Sequence, residues 1–234
     1  MIMGMSFGRG VLFHDRNVLA CAEVKDGVIH MWAEKITLKT IGKLWYRIFF
    51  SFPWYYQLFH LLLACYVVAA LVHPAWAVVD PMWAAVYIGG FHFVFPKMMK
   101  KFHGAEHKVF SYSGRKSLAA LPQIAKADIV NDGCSTNLVV WFFVGFLLSV
   151  WFLPMEWSIV CGVGGLLVGM FGDRYVRKYC RVVYKLSAFF QKHFTTKEPD
   201  RLHLETAIRS YMLFEHIRDM ERQHSACEGE CADE

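Results

Sequence analysis

The chain alternates between long stretches from which cations are absent and short ones in which they are concentrated. No Lys or Arg occurs between Phe49 and Pro96, or between Ala127 and Asp173. Each gap has room for two apolar segments of about 20 residues, the length of helix that crosses a bilayer. The pattern therefore predicts four transmembrane helices, over residues 50–72, 75–96, 138–154 and 157–172. The stretch from Gly4 to Thr40 reads differently. Its β-branched and aromatic residues alternate with charge, and Lys25-Asp26-Gly27 separates two such runs, 18–24 and 28–36. That is a hairpin signature, and because a lone hairpin is marginal it calls for a further strand near residues 10–14.

Residues 97–111 and 116–127 are expected as helices after the second span, and 174–193 as an amphipathic helix at the membrane interface. Residues 201–222 read as a soluble helix with Asp200 as its N-cap. The expected architecture is mainly α: a polytopic helical membrane protein of about four transmembrane helices, with a small N-terminal antiparallel β block and cytoplasmic amphipathic helices. It divides into a cytoplasmic β block (1–40), a first transmembrane pair (41–97), a cytoplasmic metal-site region (98–137), a second transmembrane pair (138–173), interfacial and cytoplasmic helices (174–224) and a disordered tail (225–234).

Composition agrees with a membrane reading, since 56% of residues are hydrophobic and 16% aromatic, above the usual content of a soluble domain. Lys35, Lys39, Lys43 and Arg47 precede the first span, Lys97, Lys100 and Lys101 follow the second, and Arg174, Arg177, Lys178 and Arg181 follow the fourth. Cations flank the cytoplasmic ends of spans, so the expectation is a multi-pass protein of the cytoplasmic (inner) membrane with both termini cytoplasmic. Juxtamembrane cations facing anionic lipid account for the net charge of +5 without nucleic acid. The lipid bilayer is thus the expected partner, with a membrane protein or peptide as a further one. The 7 Cys are scattered and are expected as thiols.

Candidate chemistry is concentrated in Phe102-His103-Gly104-Ala105-Glu106-His107-Lys108. On a helix, His103 and His107 lie four residues apart on one face, with β-carbons about 5–6 Å apart, and two converging imidazoles suit a divalent transition metal, zinc above all. H-x-x-E-H is the inverzincin order, in which the two His bind the metal and the Glu activates water. Glu106 is therefore the candidate general base. A catalytic zinc site usually takes a third protein ligand. Cys134 or Glu205 is expected to supply it, with Asp132, His92 and Glu198 as further candidates.

Three collinear stretches, FHGAEHK at 102–108, the Cys-containing 131–137, and TTKEPD at 195–200 followed by Leu204-Glu205-Thr206-Ala207, resemble the YqhQ-like family of bacterial membrane proteins. The resemblance implies a membrane protein with a metal site and names no substrate. This chain departs from that family where Asn131-Asp132 stands in place of a His ahead of the Cys, which leaves Asp132 as a possible substitute. The leading functional expectation is a membrane-bound metal-dependent hydrolase at the cytoplasmic interface, acting on a membrane-tethered peptide or lipid-linked amphiphile. The alternative is a non-enzymatic membrane scaffold or adaptor with a structural metal site. A transporter is disfavoured, because the apolar gaps hold few acids and no paired charges.

Overall fold

The computed structural model describes residues 2–232, without the side chains of residues 173, 174 and 224–232. The chain divides into two compact units. The first is assembled from three separated stretches, Met1–Phe52, Pro96–Ile129 and Thr196–Glu234, and the second from Pro53–Phe95 and Val130–Thr195.

In the first unit, β1 (Met3–Phe7), β2 (Gly10–His14), β3 (Val18–Lys25) and β4 (Val28–Lys35) form an antiparallel meander in that order. The predicted hairpin is β3–β4. Asp26 and Gly27 occupy its turn with φ of 52° and 77°, the left-handed pair that matches strand twist and that Asp-Gly supplies at least cost. The sheet is covered on both faces, so its inner strands are apolar without alternation. Val11, Phe13 and Ala20 face α4 (Lys97–Ser111) and α10 (Arg201–Ala232), meeting Phe102, Ala105 and Val109 from one and Leu204, Ala207, Ile208, Tyr211 and Phe214 from the other. Leu12, Leu19 and Cys21 point the opposite way, with Phe7, onto Leu44 of α1 (Leu38–Ser51). The α10 core residues recur at three- and four-residue intervals, the stripe of a helix with one buried face. That helix runs to Ala232, over residues where the sequence predicts a disordered tail from residue 225; the tail's last two residues lie outside the described ones.

The second unit holds α2 (Trp54–Val72), α3 (Trp83–Gly89), α6 (Thr136–Ser149), α7 (Met155–Phe171), α8 (Asp173–Tyr179) and α9 (Arg181–Phe190). The short α5 (Leu121–Ile124) belongs to the first unit and takes the place of the helix expected over 116–127. Helices α6 and α7 pack closely, and a β-carbon on Gly165 would come within 2.3 Å of the Trp141 carbonyl oxygen.

The four-span expectation is corrected here. Among the described residues one helix, Trp54–Val72, is long and apolar enough to cross a membrane. Absence of charge is not continuity of helix. Over residues 75–96 the chain makes a 3₁₀ turn at Pro74–Trp76, a seven-residue α3, and a second 3₁₀ turn at Phe91–Val94. Pro81, Gly89-Gly90 and Pro96 interrupt it, as residues that lack an N–H or favour non-helical backbone do. Helices α6 and α7 are apolar but have 14 and 17 residues, and at 1.5 Å per residue the former is about 21 Å long against a hydrocarbon core of about 30 Å. The amphipathic segment at 174–193 is likewise divided, into α8 and α9, at Cys180.

Phe13 is fully buried and makes edge-to-face contacts with Phe110 and Tyr211. Phe13→Ala should therefore destabilise the protein by about 3–5 kcal/mol, read from the shift in a denaturant unfolding curve. A change below about 1 kcal/mol would show that α10 does not share this core.

Candidate metal centre

Helix α4 presents two adjacent faces. Phe102, Ala105 and Val109 enter the core, and one position on, His103, Glu106 and His107 form the second stripe at i, i+3 and i+4. Strand β1 supplies the wall opposite. Gly4 and Ser6, two residues apart, project from the same side of a strand: the Ser6 hydroxyl lies 2.9 Å from His103 Nδ1, and a β-carbon on Gly4 would come within 2.6 Å of Glu106 Oε1. The Glu106 carboxyl is also 3.4 Å from His103 Nδ1. The two imidazole rings stand 4.3 Å apart, centroid to centroid.

All three side chains are closed off from solvent, with 6%, 5% and 0% of the surface of His103, Glu106 and His107 exposed. Burial pushes the Glu106 carboxyl up to about 7, against the opposing pull of His107 and a hydrogen bond from Ser6. Burial likewise holds His103 down at about 4. It holds His107 down at about 3, helped by His103 and opposed by Glu106, the Ile129 carbonyl and Asp128. Both rings are neutral near pH 7.

The His107 ring is held in a single tautomer. Its Nδ1 lies 2.7 Å from the Ile129 carbonyl oxygen; a carbonyl only accepts, so Nδ1 carries the proton and Nε2 holds a lone pair. That Nε2 is buried and has no hydrogen-bond partner. An orphaned buried acceptor costs about 1–3 kcal/mol, and a bound cation satisfies it. His103 and His107 are thus fit to hold a metal ion.

The other sequence candidates have separate places. Glu205, on α10, is bonded to Arg209 at 2.8 and 2.9 Å. Glu198 is exposed and pairs with Lys108 at 3.1 Å. In the second unit, Asp132 is exposed and pairs with Arg177 at 2.9 Å, and His92 Nε2 lies 2.9 Å from the Ser135 hydroxyl. Cys134 is a buried thiol of the second unit, outside any disulfide, with the Thr136 N–H donating to its sulfur at 3.3 Å.

Sequence reasoning did not single out Ser6, Lys108 or His203. Lys108 is buried and its ammonium donates to the carbonyls of Ala125 and Ala127, at 2.8 and 3.2 Å; these lie just before Ile129, which sets the His107 tautomer. His203 is buried against the Phe102 ring with neither ring nitrogen hydrogen-bonded. The one signal for Ser6 was its strand spacing from Gly4.

The sequence profile of a family described as protein of unknown function, DUF1385, matches residues 29–216, most of the chain. The chain belongs to the DUF1385 family. No curated protein and no solved structure matches it. The matched stretch of this DUF1385 protein contains His103, Glu106 and His107 and stops short of β1 and Ser6.

The raised Glu106 group has a consequence for metal-free protein. A carboxyl whose folded pKa exceeds its unfolded value binds more protons when folded, so it costs stability as pH rises. The loss begins near the usual value of 4.5 and is complete just above about 7. In chelator-treated protein Glu106→Gln should raise stability relative to the parent by an amount that grows over this interval and then levels off, on the order of 3 kcal/mol for a shift of this size. Melting curves from pH 4 to 8 measure it, and a constant difference across them contradicts the burial argument.

Proposed function

We propose that this protein is a metal-dependent hydrolase held at a membrane, with His103 and His107 holding a divalent transition metal, zinc foremost, and Glu106 as its general base. The observation that carries the reading is the buried, unpartnered Nε2 of His107, four residues from a second neutral imidazole. Cys134 is the third donor we assign, on the chemistry of a buried thiol and the preference of zinc for sulfur and nitrogen. When bound, the ion would act as a Lewis acid toward the substrate and toward water. The chain supplies the rest. Glu106, with a proton affinity centred near 7, can take up a proton from water and return it to a leaving group at neutral pH. Ser6 holds the His103 and Glu106 side chains in register, and Ile129 fixes the His107 tautomer.

Membrane attachment is part of the proposal. Its support is α2, whose apolar window is only 6% buried, with Leu61, Leu62, Leu71 and Val72 more than half exposed; a core helix of a soluble domain would be covered. The cations Lys35, Lys39, Lys43 and Arg47 ahead of it favour the cytoplasmic side for that flank. The YqhQ-like resemblance points the same way, and a membrane-tethered peptide or lipid-linked amphiphile is the substrate class consistent with it.

A second reading has one observation in its favour. Structural zinc sites are closed whereas catalytic ones keep an open position, and this one is nearly inaccessible. On that reading the ion braces a scaffold.

Elemental analysis of gently extracted protein should find about one transition metal ion per chain. His103→Ala and His107→Ala should each remove it, and Cys134→Ala should weaken it by 10-fold or more. Protein without metal, or both His variants retaining it, would end the proposal. Glu106→Gln separates the two readings: it should keep the ion yet lower the ability to complement a strain lacking the gene by about 10²-fold or more. Full complementation by that variant, with loss in His107→Ala, would assign the ion a structural role.

A further inference from the structure

Between Asp173 and Glu198 the sequence has no acid, yet it holds Arg174, Arg177, Lys178, Arg181, Lys185, Lys192 and Lys197. Within the second unit, α8 and α9 place part of this charge at the rim of a shallow, open surface cleft of about 340 Å³ along Arg177, Arg181, Tyr184, Lys185 and Ala188, floored mainly by their apolar atoms. One wall is prearranged. The Arg177 guanidinium lies over the Tyr184 ring at 4.6 Å and is held by the carboxylate of exposed Asp132 at 2.9 Å and its carbonyl at 3.2 Å. Arg181 and Lys185 are exposed one helical turn apart. Among the described side chains Asp132 is the carboxylate that meets Arg177, and the exposed Arg181 and Lys185 add two further cations to the cleft's edge.

The same helix carries a second exposed stripe. At 100° per residue, Val182, Leu186 and Phe189 follow one another directly beside the Arg181–Lys185 row, and they are 77%, 42% and 51% exposed. Ser187, on the opposite arc, is fully buried. A row of cations beside a row of exposed aliphatic and aromatic residues matches the depth profile of a lipid leaflet, in which phosphates lie above acyl chains. A soluble anion accounts for the cations but leaves the apolar row in water.

We propose that the α8–α9 cleft binds the phosphate headgroup of an anionic phospholipid, with Val182, Leu186 and Phe189 entering the acyl layer beside it. The inference rests on the membrane attachment proposed above and adds selectivity among lipids. Arg181 and Lys185 bear on the phosphate, and Arg177, already oriented by Tyr184 and Asp132, closes the third side.

Flotation of the full chain with vesicles of phosphatidylcholine alone, and of phosphatidylcholine mixed with phosphatidylglycerol, tests it. The parent should prefer the anionic vesicles, and the double variant Arg181→Gln/Lys185→Gln should lose about thirty-fold of that preference, the weight of two cations beside an anionic surface. Its binding to neutral vesicles, which reports on α2 and the apolar row of α9, should be unchanged, and circular dichroism should show the parent's helix content. Val182→Ser/Phe189→Ser should weaken binding to both vesicle types. Equal binding of the parent to both vesicles overturns the lipid selectivity while leaving membrane attachment intact; binding to neither overturns both. Displacement from anionic vesicles by inorganic phosphate, but not by chloride at equal ionic strength, reassigns the cleft to a free anion and also overturns it.

Discussion

The Glu106 carboxyl is pressed against backbone, and the local structure follows from that contact. Gly4 leaves just the space that Glu106 Oε1 occupies, so β1 and α4 approach closely enough for Ser6 to reach His103. The closeness also removes water. Loss of water raises the affinity of Glu106 for its proton and lowers those of His103 and His107, leaving both imidazoles neutral at physiological pH and the carboxyl divided between its two protonation states. Without an ion the cluster is two neutral rings and a half-ionised carboxyl, and one ring nitrogen has no partner. A divalent cation changes each of those terms in the same direction, stabilising the carboxylate and giving the nitrogen a bond.

The rest of the first unit holds this arrangement still. Helix α4 is clamped on its apolar face by the sheet and α10, and Lys108, one residue beyond His107, ties the helix to the carbonyls of Ala125 and Ala127. A buried ammonium bonded to backbone carbonyls is costly to displace. Lys108 thus anchors the chain just ahead of Ile129, whose carbonyl holds the tautomer of His107.

What could be read directly was local. The His103, Glu106, His107 spacing requires only that the segment be helical, and α4 spans Lys97–Ser111 as its pattern predicts. The Asp26-Gly27 turn is equally local, since its chemistry resides in two residues. Ser6 and His203 were opaque because their roles arise from packing between stretches about a hundred residues apart. The span count failed for a different reason. Hydropathy reports transfer free energy per residue, and it is indifferent to whether the backbone is one rod or three short turns. Pro81 and Gly89-Gly90 carry the missing information about residues 75–96, and cation-free length does not register them.

The first unit is built from the beginning, middle and end of the chain, and this imposes an order on its assembly. Ser210 bonds the carbonyl of Ala20 across 190 residues, and Phe214, fully buried, completes the core that backs α4. A ribosome delivers these residues after the other two stretches of the unit. Until they emerge, the sheet has one face uncovered and the His-bearing helix has no floor, while all of the apolar second unit has already been synthesised. Closing such long loops is slow compared with forming local structure. The histidines are therefore accessible while the chain grows and are enclosed only when α10 docks.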